Sequence, residues 1–402
     1  MTTLSKFRRA NLTPQPRSLR GKGEKDIGVL QKIPNFQFSI FNLQCCSAVL
    51  VAAIALCLSL QAVEDPAQNS PGPVPTPAGP LVPPPKGKWV NISDALVNAI
   101  GKSGAAIPWP GQTAGIAADP TTGDIYLIVT GNGVWKSADQ GATYVRMDRG
   151  NVTGRAETGF SLDIDPAGKR LMCFMVDGSS AMLLNGGITA VKSPASNMNF
   201  GAVNWSDGQT LIAVRHETKG WGWHSEDGGK SWKDFGPGFE CVGVFGEKAF
   251  VAVKGKDPGI QRSDDGGATW EKVSDLAPSG RAMRSSNGVG YWTSKQGLLA
   301  SKDKGATWKV QGAAVEMSAG PYFGKDEKNL VVAGVNGLLK TADAGETWKL
   351  AAPYPDKMKY EARGWFGNFA WDPVNDILYA SVMGQPAFRW EPEKEEASNP
   401  KH

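Results

Sequence analysis

Between residues 113 and 391, short apolar runs alternate with turn residues. Ile125-Tyr126-Leu127-Ile128-Val129 and Ile377-Leu378-Tyr379-Ala380-Ser381 are typical. Runs of about five residues are too short for helices, and flanking Gly, Asp and Pro mark them as strands. They recur in a fixed order. An apolar strand leads to a turn such as Asp119-Pro120, Asp165-Pro166 or Asp372-Pro373. A second strand, a Gly-containing turn and a third strand follow. Then comes a polar eight-residue turn, and a fourth strand opens at its closing aromatic residue.

That polar turn sets the period. Its form is Ser/Thr-x-Asp-x-Gly-x-Thr/Ser-Trp/Tyr, and it starts at Ser137, Ser225, Ser263, Ser301 and Thr341. A worn copy, Leu183 to Ala190, keeps only the central Gly and the Thr. A period of roughly 40 residues with four strands per unit predicts an all-β, seven-bladed β-propeller of four-stranded antiparallel blades. The blades fall at 113–150, 158–194, 200–237, 239–276, 279–313 and 315–352. Residues 367–391 supply three strands of a seventh. Lys86 to Ile92 resembles the segment after a polar turn, so this N-terminal strand should pair with the C-terminal blade and close the ring. Six blades plus a cap is the alternative count.

The residue types explain the turn. A short Asp carboxylate accepts hydrogen bonds from its own turn. The central Gly takes a backbone angle that other residues avoid. The closing aromatic lays a broad apolar surface beneath. The residues concerned are Ser137, Asp139 and Gly141; Ser225, Asp227, Gly229 and Trp232; Ser263, Asp265, Gly267 and Trp270; Ser301, Asp303, Gly305 and Trp308; and Thr341, Asp343, Gly345 and Trp348. Their carboxylates are expected to be structural rather than catalytic.

These turns resemble the Asp-box, or BNR, repeats of sialidases, xyloglucanases, sortilin-type receptors and a photosystem II assembly factor family. The resemblance covers residues 88–391. It implies the propeller fold, but the same repeat serves hydrolases, receptors and assembly factors. A sialidase resemblance implies three Arg holding a carboxylate and a Tyr–Glu nucleophile pair. Arg155, Arg281, Arg363 and Tyr360-Glu361 are the residues available. The Arg-Ile-Pro start of that family is absent, and seven blades is one too many. Xyloglucanases place a catalytic Asp in the second-to-third-strand loop of a first blade. Here that loop, Val129 to Gly133, has no carboxylate.

Charge divides the chain. Residues 1–44 hold eight Lys/Arg against two acids, while the remainder holds 35 basic and 37 acidic residues. The repeat region is not basic, which argues against nucleic acid. Residues 45–63 form the one long apolar run, and with the basic lead they read as an export signal cleaved after Ala62. An uncleaved membrane anchor is the alternative, and either places the propeller outside the cytoplasm. Residues 64–87 form a Pro-rich spacer, and residues 392–402 a charged tail. Cys173 and Cys241 are expected as two buried thiols, with one disulfide between them as the alternative.

Loops joining second to third strands, and blade to blade, share the face opposite the Asp boxes. Ligands are expected there. Blade three departs from the template with a longer loop, Arg215 to Trp221, which places Trp221 beside Arg215, His216 and Glu217. An exposed Trp among such groups suits a sugar ring or a peptide. Segments between blades add Arg155, Arg281, Arg284, Arg363 and Trp365, and residues 93–113 add Trp109. Glu217, Tyr360 and Glu361 are the weak catalytic candidates. Three His and no metal-ligand spacing imply no metal or cofactor. The expected function is an exported module that binds an extracellular glycan or protein. The alternatives are a glycoside hydrolase and a protein assembly or stability factor.

Overall fold

The computed structural model describes residues 86–393, except 185–186, 192–196, 256–257, 286, 357 and 359–366 and the side chains at 190 and 284. Every strand lies in the compact unit Pro73–His402.

The chain enters through β1 (Gly87–Asn91) and a short helix, α1 (Asp94–Lys102), and then lays down its blades in order. Blade one holds β2 (Thr113–Ala118), β3 (Ile125–Val129), β4 (Gly133–Ser137) and β5 (Val145–Arg146). Blade two holds β6 (Leu162–Ile164), β7 (Arg170–Cys173), β8 (Ser180–Leu184) and β9 (Gly187–Val191). Blade three holds β10 (Met198–Val203), β11 (Leu211–Arg215), β12 (Gly222–Ser225) and β13 (Lys233–Gly236). Blade four holds β14 (Phe239–Val244), β15 (Phe250–Lys254), β16 (Ile260–Ser263) and β17 (Glu271–Ser274). Blade five holds β18 (Pro278–Arg284), β19 (Gly290–Ser294), β20 (Gly297–Ser301) and β21 (Lys309–Gln311). Blade six holds β22 (Met317–Phe323), β23 (Leu330–Gly334), β24 (Gly337–Thr341) and β25 (Lys349–Pro353). The seventh blade runs β26 (Gly367–Asp372), β27 (Ile377–Val382), β28 (Phe388–Pro392) and then β1.

The expected count of seven and the expected closure are both present. β1 pairs antiparallel with β28, with Trp89 opposite Trp390. Their ring centroids are 5.4 Å apart. The Trp89 indole N–H donates to the Pro353 carbonyl at 2.8 Å, tying the closing strand to blade six. Ser93 Oγ accepts the Ala387 N–H at 2.9 Å. Closure through a shared blade covers the edge of β28 and ties the two ends of the ring together, leaving each blade only a short outer edge.

The core lies between blades. Ala114, Ile128, Leu162 and Cys173 join blades one and two in one apolar cluster. Leu96 and Ile100 of α1 pack with Ile116, Ile125 and Tyr379, sealing the junction of blades seven and one. The sequence pattern did not single out α1, although its i, i+4 apolar pair and the preceding Ser93 carry that signal. Asn91 Oδ1 accepts the N–H groups of Ser93 and Asp94 at 3.0 and 3.1 Å.

The worn repeat is a tight hairpin. Leu184 pairs with Gly187 across residues 185–186, which lie outside the described residues. Cys173 is buried, Cys241 is partly buried, and both are free thiols. Burial pushes both thiols upward, Cys241 to about 12.

Candidate functional site

The Asp boxes sit where the repeat order places them, on the turns between third and fourth strands. In each, the Ser or Thr hydroxyl donates to Asp Oδ1, at 2.7 Å for Ser137–Asp139 and 2.6 Å for Thr341–Asp343. The same hydroxyl accepts the central Gly N–H, at 2.8 Å for Gly267. The next Thr or Ser donates its N–H to Oδ1 and its hydroxyl to Oδ2. For Thr269 and Asp265 these distances are 2.9 and 2.6 Å. Hydroxyl donation, with backbone N–H bonds behind it, holds Asp139, Asp227, Asp265 and Asp343 down to about 2. A carboxylate this well satisfied is a poor proton acceptor, so these residues are structural.

A cluster of side chains assembles on the opposite face, from loops of three blades and the segment before blade one. Arg155 lies in the connection between blades one and two. Its backbone forms an isolated bridge with Val176 in the blade-two loop. Gly154 permits that approach, since a Cβ there would meet the Val176 carbonyl oxygen at 2.1 Å. Arg155 is 7% exposed. It pairs with Glu157 at 2.7 Å and with Asp177. It also lies 4.8 Å from the ring centroid of Trp109, which is 70% exposed. An enclosed charge needs such partners, and the carboxylates and indole face supply them.

His216 extends the cluster from the blade-three loop. Its Nε2 lies 3.8 Å from Glu157 and 3.4 Å from Glu217. The nearest oxygens of these two carboxylates are therefore at most 7.2 Å apart, the two distances end to end. Asn197 links the loops: its side chain accepts the Asp177 N–H, and its carbonyl accepts the His216 N–H. Nothing in the sequence marked Asn197, which works through its position alone. No group of His, Cys, Asp and Glu among the described residues is arranged to hold a metal ion.

The other sequence candidates are placed differently. Arg215 ends β11, half-buried, with no ion-pair partner among the described residues. Trp221, expected to be exposed, is half-buried, and its ring N–H is enclosed without a partner. The blade-three loop turns back through left-handed Glu217, Lys219 and Gly220 just before this residue. Arg281, expected among the inter-blade loops, is inside inner strand β18 and 5% exposed. Its guanidinium crosses the central channel and donates to the carbonyls of Phe160, Gly201 and Leu162 at 3.0, 3.1 and 2.9 Å. Arg284 ends the same strand. Tyr360, Glu361, Arg363 and Trp365 lie outside the described residues.

Comparison with known proteins gives the architecture a context. The BNR/Asp-box repeat signature matches residues 261–272. No curated protein matches the chain. Among solved structures, YCF48 bound to D1 peptide is 14% identical, with 81% of this chain and 99% of that chain covered and a TM-score of 0.45. YCF48 from Cyanidioschyzon merolae is 13% identical, covering 72% and 98%, with a TM-score of 0.41. The GH74 enzyme of Niastella koreensis is 16% identical over 71% of this chain and 49% of that one, with a TM-score of 0.31. With five intact boxes each on its own blade and the ring closed by β1 against β28, the chain is a seven-bladed β-propeller built on BNR/Asp-box repeats.

Proposed function

We propose that the propeller is a binding module that holds a glycan on its loop face, around Trp109. The observation that carries this reading is Trp109 itself. A tryptophan 70% exposed, held against a fixed guanidinium, is an aromatic platform with hydrogen-bonding groups beside it. Glu157 and Asp177 are both held by Arg155, and His216 lies beside Glu157 and Glu217. Carboxylates engaged in this way suit the rim of a binding surface. A hydrolase needs one to carry a proton and another to attack or to activate water. A protein ligand is the second reading, favoured by the mixed charge of the same cluster.

The test is binding and product release measured on one preparation. A soluble form comprising residues 73–402 is applied to a glycan array, and the bound sugars are analysed by mass spectrometry. Saturable binding without sugar release is expected, weakened about tenfold by Trp109→Ala, as loss of an aromatic stacking contact predicts. The exposed position of Trp109 predicts an unchanged melting temperature. Released sugar would establish a hydrolase instead. A silent array with a protein captured at Trp109 would establish the second reading.

Export is part of the same proposal. It rests on the basic segment 1–44 followed by the apolar run 45–63. N-terminal sequencing of the expressed chain distinguishes a mature start at Val63 from an intact anchor.

A further inference from the structure

The ends of the inner strands on the Asp-box face, away from Trp109, enclose a two-lobed concavity at the channel mouth. The larger lobe has a volume of about 210 Å³, and Asp163, Asp165, Arg170, Trp205 and Ser285 line it. The smaller lobe, of about 50 Å³, is mainly apolar, with Ile116, Phe160, Tyr322, Phe369 and Trp371 in its wall. Ile164, Pro166 and Met283 border both lobes. Arg281 borders the apolar lobe and is fixed by the three carbonyls described above.

The charges in this wall cancel. Four lining residues are charged, and they form two acid–guanidinium pairs. Asp163 lies 3.6 Å from Arg281, and Asp165 lies 2.5 Å from Arg170. A charged ligand would have to compete with one of these enclosed pairs, and opening an enclosed pair is costly. Asp163 Oδ2 accepts the Val203 N–H at 2.7 Å, while Oδ1 stands beyond hydrogen-bond distance of Arg281. A pocket of this kind, apolar with a few polar groups that set orientation, is the usual form of a small-molecule site. Its volume is below the roughly 300–1,000 Å³ of drug-sized sites.

We propose that this concavity binds an uncharged monocyclic molecule, its ring at the junction of the two lobes against Ile164, Pro166 and Met283 and a hydroxyl or amide head beside Asp163. The site is separate from the loop face, so it stands or falls independently of the glycan reading.

The experiment is saturation-transfer NMR on residues 73–402 with benzamide, phenol and cyclohexanol, and with benzoate and benzylammonium as charged counterparts. Saturable binding is expected for at least one uncharged probe, with both charged analogues of benzamide weaker by about tenfold or more. Met283→Trp, which fills the junction of the lobes, should abolish binding. Ser206→Trp at the exposed lip does the same task if Met283→Trp fails to fold. Trp109→Ala should leave binding unchanged. The proposal is overturned if no uncharged probe binds saturably, if the charged analogues bind equally well, or if a folded filling variant binds as the wild type does.

Discussion

An aspartate whose carboxylate accepts three or four hydrogen bonds from its own turn behaves unlike a free carboxylate. Asp139, Asp227, Asp265 and Asp343 are held near 2 against an ordinary 3.8. Because the folded value is depressed, the stability these residues lend is complete above about pH 4 and is lost as pH falls through about 2. Circular dichroism during acid titration should show the wild type unfolding in that window. An Asp227→Asn, Asp343→Asn double variant should start less stable and have a flatter acid limb. His224 acts at milder pH. Its imidazole is buried against Phe235 and Phe250, and burial lowers it below 6.5, while Glu226 pulls upward and Lys233 downward. The unfolded chain therefore binds this proton first, and stability falls as pH drops below 6.5. The wild-type melting temperature should fall between pH 7 and pH 5, and His224→Gln should lose much of that decline. The box chemistry was legible in the sequence because every partner lies within four residues, as Ser137 to Gly141 shows. The neutral His224 was not, because its environment comes from β13 and β15.

At the scale of the strand and its turn, the aromatic residue closing each box decides how firmly the blade packs. Trp308 is 7% exposed, donates to the Gly305 carbonyl at 3.0 Å and packs on Trp292 and Phe245. Trp308→Ala should cost about 3–5 kcal/mol in urea unfolding, as for a buried large-to-small change. Trp270 is half-buried beneath Lys254, so its truncation should cost less than that of Trp308. Gly222 opens β12, as Gly133, Gly297 and Gly337 open the third strands of blades one, five and six. A Cβ at 222 would meet the Phe235 ring at 2.1 Å. Gly222→Ala should therefore destabilise by about 1–3 kcal/mol through overpacking. The extra residues ahead of it marked the blade-three loop as a departure from the repeat. That departure was visible in the sequence, but the half-burial of Trp221 was settled only by how the loop coils.

For the whole molecule, ring closure is the decisive contact. Seven residues at the start of the described chain, 86–92, complete a blade whose other strands begin at Gly367. A form lacking these residues leaves β28 as an open edge and Trp390 without Trp89. Open edges invite intermolecular pairing. Calorimetry should show the single sharp transition of residues 73–402 broadened and shifted to lower temperature, with aggregation in place of reversible refolding.

The sequence by itself determined the repeat, the strand order within each blade, seven blades and the strand that closes them. These follow from local hydrogen bonding and from a period written into the chain. Only the tertiary structure decided where the charged side chains meet. Arg281 reaches the Phe160 carbonyl across 121 residues, and Arg155, Asp177 and His216 converge from three blades. Such contacts depend on the curvature of the closed ring, which sets which loops and inner-strand ends face one another. The physical reason is range: a turn carries its partners within a few residues, while a channel or a loop face exists only once all seven blades are in place.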